Sequence, residues 1–270
     1  MPEPDRQFTG KVAVVTGGTQ GIGHAAARLL AERGAAGLVI CGRTEERGRR
    51  VADELTERGC RTVYIAADLA RVEDCFQVVD VAEQEFDRVD VLVSCAALTD
   101  RGTVDSTTPE LWDQMFAVNV RAPFFLLQRA VKVMRARRIE GAVVNVISVS
   151  SYGGAPYLTP YAASKGALVT LTRNTANALV HDRIRVNGLN LGWSNTPGEH
   201  VTQKRWHDVP DDWLVHAAAR QPFGRLIDPE EAARAIAFLA SDESGLMTGS
   251  IVDFDQTIVG TTSGQPGMEP

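Results

Sequence analysis

The chain has 270 residues and a formal net charge of −6, which suits one large α/β domain and argues against nucleic acid as a partner. No apolar stretch reaches the roughly 18 residues that a membrane span requires, and the polar, acidic N-terminus lacks the features of a signal peptide. We therefore expect a cytoplasmic protein that binds a small molecule and neither a membrane nor a nucleic acid.

The chain begins with an apolar run, a glycine-rich turn and a helical pattern. Residues 11–15 predict a buried strand, and residues 24–33 predict a helix that Gly34 ends. Between them stands TGGTQGIG, with the spacing Gly-x3-Gly-x-Gly. Glycines let the backbone approach a pyrophosphate, whose charge then meets free N–H groups at the helix start. The expected cofactor contacts here are Gly17, Thr19, Gln20, Gly21, Ile22 and Gly23.

The rest of the chain alternates strands and helices. Strands are predicted at 37–41, 62–67, 89–94, 142–147, 184–190 and 250–254. Helices are predicted at 45–58, 73–86, 109–138 (irregular near Asn119 and Pro123) and 230–240, and a further helix carries Tyr161 and Lys165 and reaches about Val180. This alternation predicts one α/β domain over residues 1–270, a Rossmann-type doubly wound parallel sheet flanked by helices. We expect the tail at about 261–270, rich in Gly, Pro and small polar residues, to be mobile.

Three polar residues after the middle of the chain suggest proton transfer. Tyr161 and Lys165 stand one helical turn apart, and Ser148 ends an apolar run thirteen residues before the tyrosine. A phenol is a poor acid at neutral pH, with a pKa of roughly 10, but a neighbouring ammonium group stabilises its phenolate. A serine hydroxyl fixed at a strand end can hold a substrate oxygen beside that phenol. These groups suit proton exchange with an alcohol or a carbonyl.

Taken together, these motifs resemble those of the short-chain dehydrogenase/reductase family. The turn at residues 16–23 is similar to the family's TGxxxGxG loop. Ser148, Tyr161 and Lys165 match its catalytic triad, and Asn119 matches the asparagine that extends the triad to a tetrad. The resemblance covers roughly residues 8 to 260. It implies a homo-oligomer, a tetramer or dimer, that pairs through the helices carrying Tyr161 and Asn119.

The resemblance also implies further cofactor contacts. Residues 191–196 take the place of the family's PGxxxT loop, with Leu191 where the family has proline. Asp68 matches the acid that bonds the adenine amino group. Residues 94–97 read Ser-Cys-Ala-Ala where the family usually has NNAG, so we expect Ser94 to supply only part of the usual hydrogen bonding between the central strands. The implied contacts outside the glycine turn are Asp68, Leu69, Ala96, Tyr161, Lys165, Gly192, Ser194 and Thr196.

The end of the second predicted strand indicates which nucleotide is bound. An enzyme for NAD usually carries an acid about 20 residues past the glycine turn, where it bonds the ribose diol. This chain has Gly42 and Arg43 there. Arginine pairs with a 2′-phosphate, so NADP is favoured. NAD stays possible because Glu45 and Glu46 follow closely.

The resemblance implies a mechanism and a substrate region. Tyr161 exchanges a proton with the substrate oxygen while nicotinamide carries the hydride, Ser148 positions that oxygen, Lys165 lowers the pKa of the tyrosine, and Asn119 holds a water that connects Lys165 to solvent. Residues 195–221 lie where the family places a substrate lid. Residues expected to face the pocket there and nearby are Ser150, Tyr152, Tyr157, Trp193, His200, Lys204, Arg205, Trp206, His207, Trp213 and His216.

That mixture of rings and polar donors favours a secondary alcohol or ketone of the sugar, polyol or hydroxylated keto acid type. Two alternatives stay open: a reductase of carrier-bound 3-ketoacyl chains or apolar ketones, and a nucleotide-sensing protein without turnover. The histidines and the four scattered cysteines lack metal-ligand spacing, so no metal is predicted. The sequence assigns no role to residues 253–256.

Overall fold

A computed structural model describes residues 6–258 of the protein, where seven strands form one parallel sheet. Their order across the sheet is β3-β2-β1-β4-β5-β6-β7, which confirms the predicted Rossmann-type fold. Because the order reverses between β1 and β4, a crevice opens beyond the carboxyl ends of these strands. The strands are Val12–Thr16 (β1), Gly37–Gly42 (β2), Thr62–Ala66 (β3), Val91–Ser94 (β4), Ala142–Val146 (β5), Arg185–Leu191 (β6) and Ile251–Phe254 (β7).

Helices cover both faces of the sheet. One face packs against α1, α2 and α9, and the other against α3, α5 and α6. The helices are Gly21–Glu32 (α1), Glu45–Glu57 (α2), Val72–Phe86 (α3), Pro109–Phe116 (α4), Ala122–Arg137 (α5), Thr159–Leu179 (α6), Pro197–His207 (α7), Trp213–Ala219 (α8) and Pro229–Ala240 (α9).

The central strands are apolar along their whole length because both of their faces are covered. Every residue of β1, β4 and β5 is buried. A strand buried on two faces has no reason to alternate apolar and polar residues. Burial of each valine or leucine contributes about 1.5–3 kcal/mol, so these short runs hold the layers together and fix where each strand ends.

The predicted irregularity in the long helix is a π-helical turn at Ala117–Arg121, between α4 and α5. The N–H of Ala122 donates to the carbonyl of Ala117, five residues back, instead of four. Such a turn inserts one extra residue into a helix and often marks a functional site. Here the turn contains Asn119, whose side chain is buried.

The lid contains two helices, α7 and α8, that the sequence did not predict. Thr196 caps α7 through a hydrogen bond from the N–H of Glu199 to its hydroxyl (3.0 Å), and Pro197 occupies the first turn. The buried residues of α7 are Thr202 and Gln203, which are polar. A helix that buries polar residues gives no apolar repeat in the sequence, so the usual signal of a helix is missing.

Residues 253–256, which had no assigned role, fasten the last strand to its neighbours. Asp253 accepts hydrogen bonds from Tyr152 Oη (3.0 Å) and Asn190 Nδ2 (2.7 Å). Gln256 accepts from the N–H of Phe223 and donates to the carbonyl of Arg225. The segment therefore ties β7 to β6 and to the end of the lid.

Two further expectations concern membranes and metals. Between residues 6 and 258, no helix is long and apolar enough to cross a membrane. Over the same range, His, Cys, Asp and Glu side chains form no group of three or more that could hold a metal ion. The tail predicted to be mobile, at about 261–270, lies outside the described residues.

Candidate active site

A cavity of about 750 Å³ lies at the carboxyl ends of the central strands. It extends from the glycine turn after β1 to the lid helix α7. Every residue that the sequence assigned to cofactor contact lines it: Gly17, Thr19, Gln20, Gly21, Ile22, Gly23, Arg43, Asp68, Leu69, Ala96, Tyr161, Lys165, Gly192, Ser194 and Thr196.

The glycine turn forms a cradle that side chains would fill. Gly17 and Gly21 have φ angles of 65° and 54°, which favour glycine. A Cβ on Gly17 would lie 3.0 Å from the Cα of Ala96, and one on Gly23 would lie 2.3 Å from the carbonyl oxygen of Gly17. Gln20 gives α1 no side-chain cap, so the first N–H groups of that helix are available to an anion.

The loop after β4 is held by Thr16 and not by Ser94. Thr16 Oγ1 accepts hydrogen bonds from the N–H groups of Cys95 (3.0 Å) and Ala96 (3.1 Å). Ser94 Oγ is buried and has no hydrogen-bond partner among residues 6–258, which corrects the expectation that it supplies part of the bonding between the central strands. Burial raises the pKa of the Cys95 thiol to about 12, so this cysteine is unreactive at neutral pH.

The nucleotide end of the cavity contains a second arginine that the sequence reasoning missed. Arg47 lies in the first turn of α2, four residues after Arg43, and lines the same space. Its Nη2 donates to Thr44 Oγ1 (3.1 Å), while its buried Nε makes no hydrogen bond to any described residue. Glu45 pairs instead with Arg49 (2.6 Å), away from the cavity. The signal that could have found Arg47 was its place in the first turn of the helix predicted after the second strand.

Ser148, Tyr161 and Lys165 converge at the other end of the cavity. Ser148 follows β5, and its Oγ accepts a hydrogen bond from the N–H of Ser150 (3.2 Å). Tyr161 and Lys165 occupy successive turns of α6. Lys165 Nζ donates to the carbonyl of Val146 (2.9 Å) and lies 5.7 Å from the centroid of the Tyr161 ring.

Burial shifts the pKa values of these two groups in opposite directions. It raises the pKa of the Tyr161 phenol to about 12, against a smaller lowering by hydrogen bonding with Ser148. It lowers the pKa of the Lys165 ammonium to about 8. The expectation that the phenol has a lowered pKa is therefore wrong for the chain alone, because the loss of solvent outweighs nearby charge. At neutral pH the phenol carries its proton and is ready to donate it.

Asn119 does not line the cavity, and its side chain is held by hydrogen bonds to neighbouring elements. Its Nδ2 donates to the carbonyl of Leu98 (3.0 Å) and to Ser164 Oγ (3.0 Å), and its Oδ1 accepts from the N–H of Leu98 (2.8 Å). The side chain thereby pins the loop after β4 to α6, the helix that carries Tyr161. We assign Asn119 as a positioning residue.

Four of the residues expected to face the substrate line the cavity, namely Ser150, Tyr157, Trp193 and His207. The others do not. His200 bonds to Asn195 (3.0 Å) and accepts from Trp213 Nε1 (3.1 Å), inside the lid. Three others form ion pairs: Lys204 with Asp211, Arg205 with Asp100, and His216 with Asp212. Tyr152 and Trp206 also lie outside the cavity.

Two charged residues of the substrate end, Arg101 and Glu199, were not anticipated. Glu199 Oε1 accepts hydrogen bonds from Trp193 Nε1 (2.8 Å) and Gln203 Nε2 (2.7 Å). Arg101 Nη2 lies 3.8 Å from the same oxygen, and both side chains are mostly buried. Nothing local in the sequence marks them, because their proximity depends on how α7 docks on the loop after β4.

Known proteins of similar sequence and structure are oxidoreductases. A family model described as enoyl-(acyl carrier protein) reductase matches residues 17–256. The cis-4-hydroxycyclohexanecarboxylate dehydrogenase of Sinomonas cyclohexanicum is 36% identical, over 92% of this chain and 96% of that protein. A solved short chain dehydrogenase/reductase family protein is 34% identical, with a TM-score of 0.79, over 93% of this chain and 97% of that one.

The structure of L-sorbose reductase from Gluconobacter frateurii, complexed with NADPH and L-sorbose, superposes with a TM-score of 0.89. It is 31% identical, and the match covers 96% of this chain and 100% of that one. The likeness therefore extends through the lid as well as the sheet.

Replacing Lys165 with Met tests the depressed pKa of this buried amine. Between about pH 8 and pH 10, the unfolded chain keeps a proton that the folded chain has released, so stability should rise with pH. We expect the free energy of unfolding of the wild type, relative to Lys165→Met, to rise by about 2 kcal/mol across this window. Urea denaturation without nucleotide measures it.

Lys132→Met, at an exposed lysine of α5, is the control. The free energy of unfolding of the wild type relative to Lys132→Met should not change across this pH window. A difference between wild type and Lys165→Met that stays flat from pH 8 to pH 10 contradicts the depressed pKa.

Replacing Asn119 with Ala tests its positioning role. The change leaves the backbone groups of Leu98 and the hydroxyl of Ser164 without their partner, which should lower the free energy of unfolding by about 2 kcal/mol. We expect turnover to fall about tenfold, because α6 and the loop after β4 lose their register. The exposed Asn177→Ala in α6 is the control. If Asn119→Ala loses turnover with unchanged stability, the residue acts chemically and the assignment is wrong.

Proposed function

The chain belongs to the short-chain dehydrogenase/reductase family, and we propose that it transfers hydride between NADP and a small, hydroxylated secondary alcohol or ketone. As a member of this family it is an enzyme and an oxidoreductase. The preference for NADP, the substrate class and the role of each residue are the proposal. Its substrates are of the sugar, polyol or hydroxylated keto acid type.

One observation carries the proposal: a single cavity joins the bare glycine cradle to the Ser148, Tyr161 and Lys165 side chains. An elongated ligand with a pyrophosphate can lie on the cradle and extend toward the phenol. Its reactive ring is then beside the hydroxyl groups that hold a substrate oxygen. A site for nucleotide sensing alone would not need a buried phenol and amine at that end.

When bound, the nicotinamide supplies or accepts the hydride, and the protein handles the proton. In the direction of reduction, Tyr161 Oη donates its proton to the substrate oxygen as the carbonyl carbon gains hydride. Ser148 Oγ holds that oxygen in place. In the direction of oxidation, Tyr161 acts as the phenolate, which accepts the alcohol O–H proton, and the Lys165 ammonium group stabilises that phenolate.

Two arginines at the far end of the cavity support NADP. Arg43 follows β2 on the surface, and Arg47, in the first turn of α2, lines the same cavity. A 2′-phosphate on the adenosine ribose would accept hydrogen bonds from both guanidinium groups and compensate their charge. Glu45, which could serve the diol of NAD, is held by Arg49. The L-sorbose reductase neighbour is an NADPH complex, which agrees with this reading.

The charged residues at the substrate end of the cavity favour a small polar substrate over the two alternatives within the family. A wholly apolar lid would suit an apolar ketone, but Arg101 and Glu199 line the cavity. A carrier-bound substrate would need a basic docking face near the mouth, yet Lys204 and Arg205 of the lid are paired with Asp211 and Asp100.

We further propose a homo-oligomer in the cytoplasm that pairs through α6 and through the helical segment of α4 and α5 that contains Asn119. These helices leave Trp112 and Phe124 about two-fifths exposed, and Trp112 stacks on Phe116 with ring centroids 4.9 Å apart. Aromatic side chains of this kind are enriched where protein surfaces meet. Size-exclusion chromatography with light scattering reads the oligomeric state directly.

Replacing Tyr161 with Phe removes only the proton-transferring oxygen. We expect turnover to fall about a thousandfold, because general acid–base catalysis of this kind contributes on that order. The dissociation constant for NADP, measured by calorimetry, should change less than about threefold, since most nucleotide contacts are elsewhere.

Tyr152→Phe is the matched control, because that hydroxyl bonds to Asp253 outside the cavity. Full turnover in Tyr161→Phe would show that the proton is handled by another group.

Replacing Arg43 or Arg47 with Ala tests the choice of nucleotide. Each change should weaken NADP binding by about tenfold to a hundredfold, the range for one hydrogen bond to a charged group, and leave NAD binding nearly unchanged. Calorimetric titration of the two nucleotides gives the ratio. Arg50→Ala, which removes an exposed arginine of α2 outside the cavity, should leave the ratio as in the wild type. Equal weakening of both nucleotides would contradict a 2′-phosphate site.

A further inference from the structure

Arg101 and Glu199 place a cation and an anion side by side at the substrate end of the cavity. Their side chains are 11% and 17% exposed, so the pair is shielded from solvent. Arg101 comes from the loop after β4, and Glu199 comes from the first turn of α7. Both line the same cavity as the Tyr161 phenol, and their charges act on it in opposite directions.

Neighbouring side chains fix both groups in orientation. Arg101 Nη1 donates to the carbonyl of Thr99 (2.8 Å), and its Nε donates to His207 Nε2 (3.2 Å). Burial and the Arg101 charge lower the pKa of His207, so this nitrogen is unprotonated and free to accept at neutral pH. Glu199 is fixed by the hydrogen bonds from Trp193 and Gln203 described above.

Each member of the pair keeps one unused atom. Arg101 Nη2 makes no hydrogen bond to a described residue and lies 3.8 Å from Glu199 Oε1. Glu199 Oε2 also makes no hydrogen bond within residues 6–258. The cavity therefore presents a free donor and a free acceptor on adjacent, rigid groups.

A hydroxyl group suits this arrangement and a carboxylate does not. A hydroxyl accepts a hydrogen bond from Arg101 Nη2 and donates one to Glu199, so two neighbouring hydroxyls satisfy both groups. A carboxylate on Arg101 would lie beside the Glu199 anion. Two like charges in a site with little water repel strongly, and Arg101 already compensates one of them.

We infer that Arg101 and Glu199 form a subsite for neutral vicinal hydroxyl groups, which selects polyols and ketoses over hydroxy acids. The inference rests on the proposed function and narrows its substrate class. In this subsite Arg101 donates a hydrogen bond to one hydroxyl oxygen, and Glu199 accepts a hydrogen bond from the neighbouring hydroxyl. No covalent bond changes. The alcohol carbon that reacts lies next to this group, facing Tyr161.

The experiment compares matched neutral and acidic substrates. Initial rates of NADP reduction are measured on a panel of pentitols and hexitols, each paired with the aldonate of the same configuration. The aldonate has a carboxylate where the polyol has a terminal hydroxyl. The readout is the ratio of kcat/KM for polyol to that for aldonate. For the wild type we expect at least one pair to be oxidised with a ratio above about ten.

Glu199→Gln removes the negative charge and keeps an oxygen that accepts from Trp193 and Gln203. We expect the ratio to fall about tenfold or more, because the aldonate gains the Arg101 contact without repulsion. Arg101→Met should lower kcat/KM for polyols about tenfold, while the dissociation constant for NADP changes less than about threefold. Glu57→Gln, at an exposed carboxylate of α2, is the control and should leave the ratio unchanged.

The results separate the inference from the proposed function. A ratio in Glu199→Gln equal to that of the wild type, or a wild type that prefers aldonates, overturns the inference. So does a wild type that oxidises simple secondary alcohols but no polyol of the panel. Absence of turnover on every alcohol with either nucleotide overturns the proposed function itself, and the inference with it.

Discussion

The carboxyl ends of parallel strands lie at one edge of their sheet. The position of the site depends on the reversal of strand order between β1 and β4. Between β1 and β4 the crossovers diverge to opposite faces, so no helix closes the space above the strand ends. The glycine turn follows β1, Arg43 follows β2, and Ser148 follows β5. Distant parts of the chain thereby supply one cavity, and the apolar strands behind it fix their relative positions.

The same burial that stabilises the sheet determines the chemistry available at its edge. Tyr161 and Lys165 lose solvent, so each group favours its neutral form. Burial therefore moves their pKa values apart, to about 12 for the phenol and about 8 for the amine. At the phenol, the hydrogen bond with Ser148 and the charge of Arg101 act against burial, whereas the charge of Glu199 raises the pKa of the phenol further. The protein alone thus presents a protonated phenol, which is the form needed for reduction.

The sequence predicted those parts of the site that depend on local spacing. Short apolar runs predicted all the strands, and the glycine turn and the four-residue spacing of Tyr161 and Lys165 predicted both ends of the cavity. The sequence did not predict the roles of Arg101 and Glu199 or the helix α7. These features are determined by contacts between polar groups that are distant in the chain, and such contacts leave no apolar repeat. Asn119 was identified by resemblance, but its hydrogen bonds to Leu98 and Ser164 form only in the folded structure and have no signal in the sequence.

The central claim is that this cavity transfers hydride between NADP and a secondary alcohol, and the transfer of deuterium tests it most directly. A panel alcohol deuterated at its carbinol carbon would be incubated with the enzyme and NADP, and the reduced nucleotide analysed by NMR. The account predicts deuterium at the nicotinamide ring carbon that accepts hydride. Tight binding of NADP without labelled product, across alcohols of every class in the panel, would contradict it and favour a nucleotide-sensing protein.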